Sequence, residues 1–537
     1  MAQRGGSLKY IVGIVVVVIV AVAGIWLYTS RPVAPPPTDV TTLIHAFTAD
    51  PSSLDPAVVF DDSLVEMGPM YETLTRFTPE GEPLPHLAES WNSSTDAMTW
   101  TFRLKDGVKF HDGTELNASA VKFSFERVLA INKGGAYMLY GVDSMDVVDR
   151  LTIRFLMKYP SRLDLIIGGA YTTYIVSPTY VLAHATTDDS WAEEWMKDHE
   201  CGTGPYKLVE WTHGQQVVCE KFADYWGGWA GKHVDTVIIR IVREATTHEL
   251  QLKQGVIDST WSIPAEKLSD FQNNPNFTVR ISPTYHTYYW RINTQKPPTN
   301  DVRVRKAISY AFPYQVAVDQ IFKGYAEQLQ GPVAKGIWGH DDNLFMYQLD
   351  LDMARQLLTD AGYPNGGFTL TLYYYTGSES QRMMAELFRS NLAQLGITLD
   401  ARAYPFSELE QLCNPFSVTP SEAPHMSAHD WWPSWAADPY DYLYGMFYRD
   451  QYFNWSFYNN TEFERIIDEA NAVSVTNRTR SVELYRQAQL MLVEEAATIY
   501  LVQVKNTFVS RSWVYGYDYN PNYQAVVPYY SIYKELP

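Results

Sequence analysis

The chain contains 537 residues, enough for two or three ordinary domains and a large buried core. Its formal net charge of −19 argues against nucleic acid as a partner, because binding to phosphates requires basic patches. Aromatic residues make up 14% of the chain, with 38 Tyr and 16 Trp. Such side chains suit a surface that is both apolar and hydrogen-bonding, so the composition is compatible with a ligand cleft or with a Tyr-rich outer sheet.

An uncharged apolar segment, residues 11–28, is the first predicted element. A helix with a rise of about 1.5 Å per residue and this length roughly spans the hydrocarbon core of a bilayer. Arg4 and Lys9 precede it, so the positive-inside rule places residues 1–10 in the cytoplasm and the rest of the chain outside. We interpret the segment as a transmembrane anchor. The alternative is a cleaved signal peptide, since Ala21-Val22-Ala23 resembles a cleavage site, and both interpretations export the same domain.

A Pro-rich linker, residues 29–42, follows the apolar segment and is predicted to hold an extended conformation. The folded part is predicted to begin near Leu43. Beyond this point, helix and strand patterns alternate without the regular order of a βαβ protein. The mixture favours two α/β lobes with cross-connections, and a ligand would bind in the cleft between them.

Period-two alternation and turn residues predict most elements of the first half of the chain. Asp106-Gly107 predicts a tight turn after which the strand resumes, and Gly204–Trp226 predicts a β-hairpin. The other predicted elements of this half are three strands, Thr99–Leu104, Val108–Phe110 and Val234–Val242, and two helices, Ala118–Leu129 and Thr246–Lys253.

Helical periodicity dominates the second half. Pro313 lies inside one predicted helix, Val302–Ile321, and is expected to kink or divide it. The remaining helices are predicted at Asp352–Ala361, Ser380–Leu395, Phe463–Ala472 and Arg480–Ala496, and strands at Phe368–Tyr375 and Thr498–Val509.

Motifs of catalysis are missing from the sequence. It contains no H-E-x-x-H, no G-x-S-x-G and no Walker-type phosphate loop, so we expect neither an enzyme nor a cofactor or bound metal. Gly202–Lys207 superficially resembles a phosphate loop, but Pro205 has no N–H to donate to a phosphate. The three cysteines lack metal-ligand spacing. Cys201 and Cys219 flank the predicted hairpin and are compatible with a disulfide or with buried thiols.

Several ordered motifs together resemble one large family, the solute-binding proteins of ABC importers that include the dipeptide-, oligopeptide- and nickel-binding proteins (bacterial extracellular solute-binding family 5). The resemblance covers roughly residues 43 to 510. The motifs that carry it are Ser53-Leu54-Asp55-Pro56, Tyr71–Leu74, Pro85–Trp91, Thr99–Gly113, Ala118–Ser124, Gly202–Tyr206, Asp301–Ala307 and Ala361-Gly362-Tyr363.

The resemblance implies an α/β, two-lobed periplasmic-binding-protein-like fold with a hinge, here behind one N-terminal transmembrane helix. Lobe I would comprise residues 43–290, with an extra subdomain at about 83–195, and lobe II residues 291–500. Residues 501–537 would return to lobe I. Closure of the lobes around a ligand would precede docking on permease subunits of the importer. A monomer anchored in the cell membrane, with its folded part extracytoplasmic, would fit this role.

The family carries a recurring W-x-x-D-Y-x-D/E-P stretch, and in its peptide binders the first acid of this stretch contacts the α-amino group of the peptide. The matching stretch here is Trp432–Pro439, in which Trp435 takes the position of the first acid and Asp438 keeps that of the second. An indole cannot neutralise an ammonium as a carboxylate does, although it offers a cation–π contact and a flat surface for sugar rings. The predicted ligand-binding residues are Trp435, Asp438, Asp430, Trp432, Tyr440, Tyr288 and Tyr289.

Three hypotheses about the ligand remain open at the level of sequence. The first is a receptor for oligopeptides or chemically similar solutes. The second, favoured by Trp435 and the aromatic content, is an oligosaccharide receptor of the same family. The third is a surface scaffold protein that uses the fold without transport.

Overall fold

A computed structural model describes residues 41–169, 172–433, 437–523 and 525–535. The predicted anchor at 11–28 and nearly all of the linker at 29–42 lie outside the described residues. Among the residues described, no helix is both long enough and apolar enough to cross a bilayer.

Within the described residues, eleven strands form one continuous mixed sheet that runs through both lobes. Ten of them follow one another along the sheet in the order Thr398–Tyr404, Thr369–Tyr375, Met426–Trp431, Phe277–Ile292, Thr498–Arg511, Ser259–Thr260, Thr42–Phe47, Thr236–Ile241, Gln216–Lys221 and Tyr206–Thr212. The eleventh, Ala326–Gln328, also pairs with Thr498–Arg511.

Two long antiparallel strands, Phe277–Ile292 and Thr498–Arg511, connect the lobes, and we call them the crossing strands. The register between them shifts between Pro283 and Thr287, where Pro283 has no N–H to donate to the ladder. On the lobe I side, the second crossing strand pairs with Ser259–Thr260. On the lobe II side, the first pairs with Met426–Trp431. The two lobes therefore share one backbone hydrogen-bond network.

Lobe I also carries a separate four-stranded antiparallel sheet, made by strands Ala88–Ser93, Thr99–Leu104, Thr152–Met157 and Val142–Asp149 in that order. The helix Ala118–Ile131 packs on this sheet through Val121, Phe125 and Val128, and together they form a distinct hydrophobic core. Asn117 caps the helix by accepting a hydrogen bond from the N–H of Ala120. Two further pairs of short strands complete the strands of the described residues, Thr75–Phe77 with Pro83–Pro85 and Val514–Tyr515 with Tyr533–Lys534.

The helices surround these sheets and bury their apolar faces in two main cores, one for each lobe. Those of lobe I are Leu64–Met67, Ala118–Ile131, Leu163–Ile166, Pro178–His184, Glu193–Met196, Ala245–Gln254 and Leu268–Gln272. Those of lobe II are Val302–Tyr310, Tyr314–Val316, Leu351–Asp360, Glu379–Gln394, Phe406–Cys413, Pro439–Phe447, Thr461–Val473 and Arg478–Glu494. All three cysteines are buried free thiols, so Cys201 and Cys219 are not bridged.

Two predictions of local structure have instructive outcomes. The helix expected over Val302–Ile321 divides, as Pro313 indicated, because proline lacks the N–H that would continue the helical ladder. The strand expected at Val108–Phe110 is wrong, since that segment makes a single bridge from Lys109 to Glu115. Thr99–Leu104 instead pairs with strands far away in the chain, which a turn dipeptide could not reveal.

Candidate functional site: a cavity between the lobes

A cavity of about 790 Å³ lies between the lobes. Its volume falls within the roughly 300–1,000 Å³ of small-molecule sites. Lobe I contributes Phe60, Asp61, residues of the segment 132–141, Tyr159 and residues of 161–166, and lobe II contributes Phe406, Glu410, Phe416, Trp431, residues of 438–445, residues of 450–453, and Asn471. Because both lobes supply wall residues, a ligand held here would contact both at once.

One wall of the cavity is the helix Pro439–Phe447, whose start is fixed by its own sequence. Asp438 caps it by accepting a hydrogen bond from the N–H of Tyr440 at 2.8 Å, and Pro439 occupies the first helical position. Helical spacing then places Tyr440 and Tyr444 one above the other, with ring centroids 4.6 Å apart. Both rings line the cavity and form an aromatic ladder along it.

Of the six predicted ligand-binding residues that the structure describes, Asp438 and Tyr440 line this cavity. Burial raises the pKa of Asp438 to about 6, although the positive charges of Arg162 and Arg478 act in the opposite direction. Trp435 lies outside the described residues. Its role stays a prediction.

The four other predicted site residues lie beside the cavity or behind it. Asp430 is 2.6 Å from Nε2 of His286. Burial alone would raise the pKa of Asp430, but the hydrogen bond and the charge of His286 hold it below the ordinary value. Trp432 packs edge-on against His286, with centroids 5.3 Å apart, and Tyr288 packs on the same imidazole at 5.1 Å. Tyr289 is fully buried in lobe II and donates its hydroxyl to the carbonyl of Pro332.

A smaller cavity of about 230 Å³ lies where the crossing strands pass between the lobes. Asp62 and Trp261 of lobe I line it together with His286 of the first crossing strand. The side chain of Asp62 is accessible to solvent and faces this cavity. Burial, helped by the negative charges of Asp61 and Asp430, raises its pKa to about 6.

Most of the large cavity was not found by reasoning from the sequence. The aromatic residues of lobe I include Tyr137 and Tyr140, which precede the strand Val142–Asp149, and Tyr159, which follows the strand Thr152–Met157; neither segment carries a motif. Phe406 and Phe416 belong to a helix and loop about twenty residues before the W-x-x-D stretch. The sequence feature that could have indicated these residues is the presence of large aromatic side chains in polar, irregular segments. Composition alone could not assign such side chains to one site.

The architecture defines a class of protein that holds a small solute between two lobes. The sequence matches the family described as bacterial extracellular solute-binding proteins, family 5, over residues 82–454. The chain belongs to this family, and its two-lobed α/β fold is the fold of the related solved structures.

Among its relatives is the probable D,D-dipeptide-binding periplasmic protein DdpA of Escherichia coli, which is 30% identical over 514 residues, covering 93% of this chain and 96% of the relative. The glutathione-binding protein GsiB of Pectobacterium atrosepticum is 29% identical over 458 residues, with 84% and 86% coverage. A solved structure of DppA from Helicobacter pylori with the peptide STSA has a TM-score of 0.79 and 28% identity, and covers 92% of this chain and 98% of that one.

Proposed function

We propose that this protein is the extracytoplasmic receptor of an ABC importer, and that it captures short peptides or related solutes and delivers them to a permease. The observation that carries the proposal is the cavity of about 790 Å³ with walls from both lobes. A ligand that contacts both walls stabilises the closed arrangement over the open one, which is how binding is coupled to a change of shape.

The choice of peptides is supported by the relatives, whose names describe binding of D,D-dipeptides and glutathione, and by the solved relative that holds the peptide STSA. The aromatic ladder of Tyr440 and Tyr444 offers apolar faces together with hydroxyl groups, a combination that suits a peptide with polar backbone and apolar side chains. The sequence-based case for an oligosaccharide depended on Trp435, so that hypothesis awaits a test of its own.

The location we propose is the outer face of the cell membrane, with residues 11–28 as a single-pass anchor and the folded part acting as a monomer. Such a tether would raise the effective concentration of the receptor near its permease. Sedimentation of the full chain with membranes after an alkaline wash is the expected result. Release of the whole population into the soluble fraction would contradict the anchor without touching the proposed receptor role.

Thermal unfolding with a panel of short peptides and a parallel panel of oligosaccharides tests the ligand class. A ligand that binds only the folded state raises the melting temperature by mass action. We expect shifts with peptides, and Tyr444→Ala should reduce them. Tyr515→Ala is a matched control, because Tyr515 stacks on Tyr533 at 5.4 Å outside the cavity. Shifts with sugars alone would contradict the proposal.

A further inference from the structure

The charges around the large cavity are unequal. Five carboxylates of the described chain line it: Asp61, Glu410, Asp438, Asp441 and Asp450. Only two basic side chains, Lys133 and Arg162, do so among the described residues. The question is then which of these charges are already compensated by neighbours in the protein.

Both basic side chains are paired with carboxylates that do not line the cavity. Lys133 forms an ion pair with Glu193 at 2.5 Å. Arg162 binds Asp164 through two hydrogen bonds, from Nε at 2.8 Å and from Nη2 at 2.9 Å. A ligand anion would therefore have to compete with a carboxylate of the protein for either cation.

Four of the lining carboxylates lack such compensation. Within the part of the chain that the structure describes, no Lys, Arg or His nitrogen lies within 4.0 Å of Asp61, Glu410, Asp438 or Asp450. Asp61 and Asp438 accept hydrogen bonds from backbone N–H groups, which carry no net charge. Burial raises the pKa of Glu410, and it raises that of Asp438 although the charges of Arg162 and Arg478 act in the opposite direction.

Exposed aromatic rings are a second and independent feature of the same walls. Tyr140 and Tyr159 of lobe I are each 48% exposed, and Phe406 and Phe416 of lobe II are 44% and 65% exposed. Large apolar groups gathered around one cavity leave water in contact with surface that a ligand could cover. Aromatic faces also attract cations, particularly where water is excluded.

A buried cation behind the wall does not alter this pattern. Arg291 does not line the cavity, and its guanidinium carbon lies 5.8 Å from the ring of Trp431, which does. The Trp431 and Trp455 rings flank the charge, and of these two rings only that of Trp431 lines the cavity.

From these observations we infer that the cavity selects solutes that combine a positive charge with an aromatic or apolar body, and that Glu410 and Asp450 on lobe II take part in binding the charge. The inference rests on the proposed function for the location of the ligand and deepens it by naming the ligand class. For a peptide receptor, the preferred ligands would carry a lysine or arginine next to an aromatic residue.

Isothermal titration of the full chain with three matched peptides, Ala-Phe-Lys, Ala-Phe-norleucine and Ala-Phe-Glu, tests the charge preference. These peptides differ in the charge of one side chain. We expect the lysine peptide to bind about 10-fold more tightly than the norleucine peptide, since a hydrogen-bonded charge pair in a partly buried site contributes this much. The glutamate peptide should bind most weakly. Equal affinities, or a preference for glutamate, would overturn the inference.

Variants assign the effect to the cavity. Glu410→Gln and Asp450→Asn should each reduce the ratio of lysine to norleucine affinity toward unity. Glu408→Gln should leave the ratio unchanged, because Glu408 lies on the same helix but is exposed away from the cavity. An unchanged ratio in both cavity variants would contradict the role of these two carboxylates.

A pair of ligands that are not peptides separates this inference from the proposed function. If none of the three peptides binds, the peptide class is wrong, and 4-phenylbutylamine is then compared with 4-phenylbutanol. Tighter binding of the amine would keep the charge preference, whereas equal binding, or no binding of either, would overturn it.

Discussion

Each lobe buries an arginine, and the two are compensated in different ways. In lobe I, Arg127 is 1% exposed and binds both oxygens of Asp55 at 2.6 Å. In lobe II, Arg291 is fully buried and has no carboxylate partner among the described residues. Its guanidinium lies 5.6 Å from the ring of Trp455, and its Nη2 is 3.4 Å from Nδ1 of His429. Burial lowers the pKa of Arg291 to about 9, so it remains charged at neutral pH.

Two of the buried histidines, His111 in lobe I and His429 in lobe II, differ in the same way. Burial would lower the pKa of His111 in lobe I, but Glu200 at 2.8 Å outweighs it and raises the pKa. His429 in lobe II has no such partner, and burial, with the charge of Arg291 adding to it, lowers its pKa to about 3. Lobe I therefore contains buried ion pairs at these positions, whereas lobe II holds Arg291 and His429 among aromatic rings behind the cavity. The two arrangements should respond differently to substitution and to pH.

The largest expected effect is the loss of the lobe I pair. Asp55→Asn removes the charge that compensates Arg127 and should lower the free energy of unfolding by about 3–5 kcal/mol, because an uncompensated charge stays buried. Denaturant unfolding measures the change. Asp352→Asn is the control, since that side chain is 96% exposed, and it should change stability by less than about 0.5 kcal/mol. Similar losses of unfolding free energy in Asp55→Asn and Asp352→Asn would contradict a large stabilising contribution of the Asp55–Arg127 pair.

Next in size is a pH effect of His429. The unfolded chain binds a proton at this residue near pH 6.5, while the folded protein does not until about pH 3. Stability from the neutral ring is thus fully present above pH 6.5 and is lost as the pH falls, by up to about 1.4 kcal/mol per unit. His429→Gln should flatten the curve of unfolding free energy against pH between these values. Parallel curves for the variant and the wild type would exclude this contribution.

His111 should behave in the opposite sense. Because its folded pKa is raised, the stabilisation from the pair with Glu200 is present below pH 6.5 and is lost as the pH rises through the folded value. The pH dependence of His111→Gln relative to wild type therefore sharpens the contrast between the lobes.

The smallest expected effect is that of Arg291→Met. This change removes a buried charge without leaving a buried carboxylate behind, and the lost cation–π contacts are offset by the lost cost of burying the charge. We expect unfolding free energy to change by about 1 kcal/mol or less. Arg127→Met leaves the buried carboxylate of Asp55 without a cation, and it should lower the free energy of unfolding by about 3–5 kcal/mol in the same assay. Equal losses in the two variants would remove the distinction between the lobes.

Local sequence patterns were sufficient for the elements whose stability is local. The hairpin predicted over Gly204–Trp226 forms between Tyr206–Thr212 and Gln216–Lys221, with Gly214 at a φ of 70° in its turn. The helix predicted at Ser380–Leu395 forms at Glu379–Gln394. Periodicity of apolar residues and turn chemistry determine such elements before any distant contact is made.

Strand pairing was beyond the sequence, because it depends on segments far apart in the chain. The two crossing strands are separated by more than two hundred residues, yet their pairing forms the connection between the lobes. The error at Val108–Phe110 has the same origin. The turn at Asp106-Gly107 predicted that this segment pairs with Thr99–Leu104, but Thr99–Leu104 pairs instead with the distant strand Thr152–Met157.

By itself, the sequence determined the family through its ordered motifs, and it determined the hairpin over Gly204–Trp226, whose turn needs only its own neighbours. Tertiary structure alone decided which carboxylates line one cavity and which cations are already paired. Asp61 and Glu410 are about 350 residues apart in the chain and meet at one site only because the lobes close around it. Charge compensation acts over a few ångströms in space, and spacing along the sequence cannot report such distances.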